Sequence, residues 1–321
     1  MANWIVLYDR RTNVVDDPLE VVDARMHRTD CLKNLLAGRS AFLICGGPSA
    51  KPHLDRLNRR GVFSLAVNNS AGSIARPQAF VFSDPPLKFS HSIWQDPAVM
   101  KFCPTPKMRS SRNMLREKVD GVFYKSSLTV VDCPNVWGFR RESLLRPDDS
   151  FFTLPGACWG NLDSGIKITG EQKTVCTMLL GIRLLVYLGA QRIHMLGVDF
   201  RMTPESGYSF AQARTQNACI SNNRQFGIVN EWLCKMQSDG VFERRGVSLF
   251  NCYQHSGLRA FPYVPFEQAL EDVVGQVEEF PDLGGWYEKS RCKCGSWNIK
   301  HQDGVFTCVS CGKGFEEEPT E

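Results

Sequence analysis

The chain has 321 residues, of which 43% are hydrophobic and 22% charged, with a formal net charge of +4. This is the composition of a globular protein long enough for one main domain and an appendage. No apolar run reaches the roughly 18–20 residues of a membrane span, and so modest a net charge does not by itself call for nucleic acid. The N-terminal stretch MANWIVLYDRRTNVVDD gains charges too early for a signal peptide. Thirteen cysteines, an odd number mostly scattered through apolar runs, argue for reduced thiols and a cytoplasmic protein.

Residues 1–40 open with an expected edge strand at Trp4–Tyr8 and a short helix over Cys31–Ala37, stopped by Gly38. The first strong signal is Ala41–Asn69. Ala41–Cys45 is an apolar run of buried-strand length, broken by Gly46-Gly47-Pro48-Ser49. Leu54, Leu57 and Val62 continue as the apolar positions of a helix, and Val62–Val67 is a second strand ending at Asn68-Asn69. Strand, glycine turn, helix and strand make a βαβ unit, which implies a parallel sheet. The glycines allow close backbone approach to a ligand, Ser49 offers a hydroxyl, and free N–H groups at a helix start attract anions. The turn matches neither the Walker A pattern nor G-x-G-x-x-G.

Phe80–Phe82 reads as a third strand, delivering Ser83-Asp84-Pro85-Pro86. Ligands of open α/β sheets bind at the carboxyl ends of strands, where Gly46–Ser49, Asn68, Asn69, Ser83 and Asp84 all fall. Residues 87–160 read as irregular, with exposed-looking aromatics (Trp94, Phe102, Trp137, Phe139, Trp159). They also hold a basic cluster: between Lys101 and Arg146 stand ten Lys or Arg against four Asp or Glu, an excess of six. Such a segment, 85–160, suits a lid or a surface for a polyanion whose bases stack. Gly170–Leu188 reads as a helix with a Thr169/Gln172 capping box, ended by Gly189. Arg192–Val198 is then a buried strand leading to Asp199-Phe200. A helix over Gly227–Met236, a strand over Val247–Tyr253 and a loop bearing His255 follow.

Ile44–Ser49, Val67-Asn68-Asn69 and Phe80–Asp84 together resemble the opening of bacterial sialyltransferases related to those of Campylobacter, and are similar to the DUF115 group. The latter includes motility-associated glycosyltransferases and an archaeal pterin diphosphokinase. Thr169-Gly170, Leu188-Gly189 and Gly197-Val198-Asp199-Phe200 match a second block of that family in order and spacing. The resemblance covers roughly residues 41–84 and 165–255. It implies a Rossmann-like domain in which Gly46, Gly47, Pro48, Ser49, Asn68, Asn69 and Ser83 surround a nucleotide diphosphate or nucleotide sugar. It further implies that Thr169, Gly170 and Asp199 face the nucleotide or transferred group, and that Tyr208 contacts donor phosphates. One departure matters. Where the sialyltransferases carry their catalytic histidine, this chain has Ser221, Asn222 and Asn223, and no histidine lies between His194 and His255. Asn cannot act as a general base, so that role falls to Asp84, Asp199 or His255, and sialic acid is disfavoured as the transferred group.

Near the C-terminus, Cys292-x-Cys294, thirteen residues and Cys308-x-x-Cys311 form a Cys₄ zinc pattern. Gly295 and Gly312 allow the knuckle turns, and Trp297–Ile299 with Val305–Thr307 can pair between them. This resembles a zinc ribbon, whose closed ligand set makes its Zn²⁺ structural.

The expected architecture is α/β. A segment at 1–40 packs on a Rossmann-like parallel sheet flanked by helices at 41–279. An irregular basic insertion sits at 85–160, and a small zinc ribbon at 286–321. The expected activity is transfer of a sugar from a nucleotide-sugar donor to a hydroxyl acceptor. A hydroxymethylated pyrimidine in DNA would fit, as in phage DNA hypermodification within the host cytoplasm. Two alternatives remain: an ATP- and Mg²⁺-dependent diphosphotransferase, and a non-catalytic nucleic-acid-binding protein.

Overall fold

The computed structural model of the protein describes residues 21–22, 31–58, 61–72, 77–86, 89, 93–94, 96–104, 116–119, 122–125, 129–139, 146–153, 161–168, 171–210, 215–275, 299–302, 305–308 and 314–315. In chain order its strands begin with β1 (Val21–Val22), β2 (Ser40–Ile44), β3 (Ser64–Val67), β4 (Ala79–Val81) and β5 (Met100–Pro104). Next come β6 (Arg116–Val119), β7 (Val122–Lys125), β8 (Val136–Phe139), β9 (Asn161–Ile168) and β10 (Glu171–Val175). The last are β11 (Arg192–Leu196), β12 (Ser248–Asn251), β13 (Ile299–Gln302), β14 (Val305–Cys308) and β15 (Gly314–Phe315). The α-helices are α1 (Ser150–Thr153), α2 (Thr177–Tyr187), α3 (Gln216–Ser238) and α4 (Phe266–Val274).

Eight strands form one sheet in the order β1-β8-β5-β4-β3-β2-β11-β12. Edge strand β1 runs antiparallel to β8, and the other seven strands are parallel. The protein is thus an α/β, Rossmann-like fold. β2, β3 and β4 are buried along their whole length, as parallel strands covered on both faces must be. From β2 the chain steps outward through β3, β4, β5 and β8. It then returns to add β11 and β12 on the other side of β2. The order therefore reverses between β2 and β11, and that is where such sheets open a ligand crevice.

Several elements differ from the sequence expectation. The segment after Gly47 is a 3₁₀ helix, Pro48–Leu57, with Ala50, Leu54 and Leu57 buried. Pro48 costs nothing at the first helical position, whereas Pro52 lacks the N–H that an α-helix would donate to the carbonyl of residue 48. Residues 87–160 are not wholly irregular, because β5 and β8 join the central sheet and β6 pairs with β7. Accordingly Trp94, Phe102 and Phe139 are core residues rather than exposed aromatics. The helix expected from Gly170 starts at Thr177, since 161–175 forms the antiparallel β9–β10 hairpin instead. Ile166, Ile168, Thr174 and Val175 give these two strands their β-branched residues. The helix expected at Gly227–Met236 is α3, which begins earlier because Thr215 caps it, accepting from the Ala218 N–H at 3.3 Å. At Cys31–Ala37 there are turns, with Leu32 and Leu36 buried, and Gly38 at φ +73° ends the segment as expected.

Trp4–Tyr8, Trp159, most of the basic cluster and the linker before residue 286 lie outside the described residues. β13, β14 and β15 form a separate antiparallel sheet, with Ile299 opposite Cys308. Eight described cysteines are all free thiols. Among the described residues, no helix is long and apolar enough to cross a membrane.

At the lower end of the sheet α4 is held by a buried polar knot. The side chain of His194 on β11 is fully buried between Phe42 (5.8 Å) and Phe250, on which it stacks at 5.1 Å. Its Nε2 meets the Asp272 carboxylate of α4 at 2.6 Å, and Asp272 also accepts from Ser40 and from Arg192 Nε. His194 Nδ1 is buried without a partner. Burial pushes the His194 pKa down, against the upward pull of Asp272. With the folded pKa below that of the unfolded chain, the unfolded state binds the proton first on acidification. Stability is then complete above about pH 6.5 and is lost as pH falls toward the folded pKa, by at most about 1.4 kcal/mol per pH unit. Urea unfolding of wild type and His194→Phe between pH 7.5 and 5.5 tests this: the wild type should lose more. Equal slopes would refute the assignment.

Candidate active site

The crevice forms where the ends of β2 and β11 meet. Cys45 N–H donates to Leu196 O and Gly47 N–H donates to Gly197 O, both at 2.8 Å, so the two loops run against each other. This contact has no room for a side chain. A Cβ on Gly47 would stand 2.3 Å from Asp199 Oδ1 and 2.5 Å from Gly197 O. Gly197 adopts φ +68°, and a Cβ there would stand 2.3 Å from Cys45 O. The carboxylate of Asp199 then reaches across the switch point to the turn. It accepts hydrogen bonds from the Ser49 N–H at 3.2 Å and from the Ser49 hydroxyl. Asp199 is only 8% exposed. Burial raises its pKa above the ordinary carboxylate value, while the Ser49 hydrogen bonds oppose that rise.

The loop after β12 braces Asp199 from the other side. Gly257 N–H donates to Asp199 O at 2.8 Å, and the Ser256 hydroxyl donates to Val198 O. Phe200 pays for the tight bend with φ +52°, a conformation that bulky L-residues rarely adopt, and stacks on Phe226 at 4.9 Å. Ser209 N–H donates to Gly46 O at 2.8 Å. That bond sets the parallel pair Tyr208 and Phe210, 4.8 Å apart, against the glycine turn.

A second polar group converges from β3, β4 and α2. Asn68 takes φ +50° at the end of β3, a conformation Asn tolerates. Its Oδ1 accepts from the Ser83 N–H at 3.0 Å, and its Nδ2 faces Thr177 Oγ1 at 3.4 Å. Ser83 and Thr177 share a hydroxyl–hydroxyl bond of 2.8 Å. Below them Ser70 accepts from the Val67 N–H and lies 2.9 Å from Ile44 O, tying β3 to β2. Thr177 begins α2, so the positive end of that helix dipole lies at the same end of the sheet.

Of the residues expected at the site, the structure thus gathers Gly46, Gly47, Pro48, Ser49, Asn68, Ser83, Asp199 and Tyr208 at one edge of the sheet. Asn69 continues the turn after β3, and Asp84, half-buried, directly follows Ser83. His255 is exposed in the loop after β12, edge-on to Tyr253 at 5.8 Å. Thr169 and Gly170 lie outside the described residues, as do Cys292, Cys294 and Cys311; of Cys308 only the backbone is described. Among the described residues no three His, Cys, Asp or Glu side chains cluster as metal ligands.

Sequence reasoning missed Thr177. A Thr directly before the apolar run Met178–Leu188 is a helix-start signal, but the Thr169/Gln172 pair masked it. The cysteines beside the crevice are not nucleophiles. Burial pushes Cys45 well up, helped by Cys176 and Asp199. Burial likewise raises Cys176 to about 11, despite the Met178 and Leu179 N–H groups.

No family model matches the chain, and no curated protein matches it in sequence. Among solved structures, a Campylobacter jejuni sialyltransferase, CstII, described in complex with a substrate analogue, cytidine-5′-monophosphate, is similar over 71% of this chain and 85% of its own. The identity is 10% and the TM-score 0.35, a likeness too loose to assign an activity.

Replacing Gly47 with Ala forces a methyl group into Asp199 and Gly197. Overpacking of this kind costs about 1–3 kcal/mol. Chemical denaturation should show a loss in that range, while Gly227→Ala, where a Cβ meets open space, should not destabilise the chain. Equal effects would mean that the turn is not tightly packed.

Proposed function

We propose that the protein is a glycosyltransferase that moves a sugar from a nucleotide-sugar donor to a hydroxyl acceptor. The observation that carries this reading is the Asp199–Ser49 clasp across the switch point. It fixes a glycine turn at the strand ends, beside the Asn68–Ser83–Thr177 group and the N-terminus of α2. Gly46, Gly47 and Ser49 shape the turn that the donor phosphates approach; the N–H groups of Gly47 and Ser49 and the Ser49 hydroxyl already donate to Gly197 O and Asp199, so they hold that shape rather than the phosphates. Asn68 and Asn69 bind ribose or base, and Thr177 with the α2 N-terminus stabilises charge on the leaving phosphate. Tyr208 closes the phosphate side of the crevice. Thr169 and Gly170 face the transferred group.

Two carboxylates divide the remaining work. Asp199, engaged with Ser49, positions the donor turn. Asp84, next to Ser83, deprotonates the acceptor hydroxyl, a role for which His255 is the alternate. The acceptor is a hydroxymethylated pyrimidine of DNA, held by the basic segment around 107–141 and by the C-terminal module. Cys292, Cys294, Cys308 and Cys311 hold one structural Zn²⁺ in that module. The fit rests on the β13–β14 pairing, which sets Cys308 opposite Ile299, five residues beyond Cys294. The second reading, a Mg²⁺-dependent diphosphotransferase, needs Asp84 and Asp199 as metal ligands, whereas the Asp199 carboxylate is already bonded to Ser49.

Thermal stability against UDP, CMP, GDP and ATP with Mg²⁺ tests the donor half. A ligand at a hundredfold excess over its Kd stabilises the fold by about 2.7 kcal/mol. A shift with UDP, CMP or GDP is expected, weakened at least tenfold in affinity by Asp199→Asn. Asp84→Asn should keep nucleotide affinity and lower kcat by about 10²-fold or more. A shift with ATP and Mg²⁺ alone would support the diphosphotransferase, and no shift would sink both. Metal analysis of the full chain should give one zinc, lost in Cys308→Ser with the nucleotide shift retained. A metal-free wild type would refute the ribbon.

A further inference from the structure

A cavity of about 400 Å³ lies between the loop after Asp199 and the start of α3. Gln216, Cys219, Ile220 and Asn223 line it at spacings of three and four, one face of the helix. Its floor is apolar and buried, formed by Met202 and Cys219. Asn223 is not available to a ligand through both ends of its amide. Its Oδ1 accepts from the Met202 N–H at 2.9 Å, and its Nδ2 donates to Met202 O at 2.8 Å. It shapes the cavity by pinning the loop.

The wall is unusual. Arg201 and Glu205 both line the cavity and are exposed, and among the described residues neither forms an ion pair with the other or with any side chain. Pairing of exposed charges contributes little stability in water, so both side chains stay open to a ligand. Ile220, also on the lining, is 58% exposed, one of three large hydrophobic residues so open among the described residues. A guanidinium free to take an anion, a carboxylate free to accept from hydroxyl groups and an apolar rim describe a ligand of mixed chemistry. The volume lies within the range of small-molecule sites.

Position gives the cavity its role. The same loop that carries Arg201 and Glu205 begins at Asp199, whose carboxylate holds the donor turn. Phe200, between them, is locked on Phe226 of α3. We infer that this cavity is a subsite for a phosphorylated sugar ring: Arg201 pairs with the phosphate, Glu205 accepts from ring hydroxyls, and Ile220 covers the apolar ring face. That this ligand belongs to the acceptor rests on the transferase reading above. One chemistry has two sources here, a free sugar phosphate or the deoxyribose phosphate of a DNA strand.

Calorimetric titration of the full chain with ribose 5-phosphate tests the subsite. Wild type should bind it, with ribose and inorganic phosphate each at least tenfold weaker. Arg201→Gln should weaken it about tenfold or more, and Glu205→Gln should weaken it as well. Lys235→Gln removes the same charge from the far end of α3, where Lys235 pairs with Asp239, and should leave the affinity unchanged. A short single-stranded oligodeoxynucleotide that competes with ribose 5-phosphate, and depends on Arg201, identifies DNA as the source. Absence of competition identifies a free sugar phosphate. Failure of ribose 5-phosphate to bind, or equal binding by Arg201→Gln, overturns the subsite. Nucleotide binding measured on the same samples separates the two readings. A wild type that binds nucleotide but not ribose 5-phosphate loses this subsite alone. One that binds ribose 5-phosphate through Arg201 but no nucleotide keeps the subsite and loses the transferase.

Discussion

The site depends on a single constraint: at the β2–β11 switch point two backbones approach so closely that only glycine fits on either side. Gly47 N–H on Gly197 O sets that distance, and the carboxylate of Asp199 fills the space a side chain at 47 would occupy. An open α/β sheet leaves a crevice at this point in any case. Here the crevice is closed at its base by a buried carboxylate that takes two hydrogen bonds from one serine. The arrangement gives the turn a fixed shape before any ligand arrives, which reduces the ordering cost of binding. The burial that raises the Asp199 pKa means that its charged form relies on Ser49. Loop and carboxylate therefore stabilise one another, and neither can be altered alone without loss to the other.

Strain is placed where this constraint needs it. Phe200 and Asn68 hold positive φ at the ends of β11 and β3, the two points where the chain leaves the sheet to reach the crevice. For Asn the cost is small; for Phe it is of the order of 1–2 kcal/mol, offset by stacking on Phe226 and by the bracing of Val198 and Asp199 from the loop after β12. At the opposite end of the sheet His194 and Asp272 fix α4 to β11, so the fold keeps this polar knot apart from the polar group at the crevice.

Much of this was legible in the sequence. The glycine turn, the strands on either side, Asn68, Ser83 and the Gly-x-Asp-Phe ending of β11 were each visible, because parallel strands buried on both faces read as short apolar runs. The α2 boundary was not. Thr169 and Gln172 satisfy a capping box pattern locally, yet β10 pairs with β9, Thr174 opposite Leu162 and Val175 opposite Asn161, a cross-strand gain that a capping pattern does not reveal. The same limit hid β5 and β8. Their aromatics look like surface ornaments of a basic segment until the sheet provides a face to bury Phe102 and Phe139. The remaining difference lies after Gly47, where the apolar spacing fits a helix of either pitch and Pro52, inside the segment, interrupts the α-helical hydrogen-bond ladder.

The absence of a histidine at the family's catalytic position takes on a definite meaning once α3 is placed. Ser221, Asn222 and Asn223 lie near the helix start, and Asn223 spends its amide on the backbone of Met202. A histidine at 223 could not reproduce that paired donation and acceptance, because one imidazole nitrogen cannot reach both N–H and C=O of the same residue in this planar way. That helix face is therefore committed to shaping the loop, and the loop in turn presents Arg201 and Glu205. Asp84 stands on a different element, directly after Ser83, whose hydroxyl bonds that of Thr177 at the start of α2.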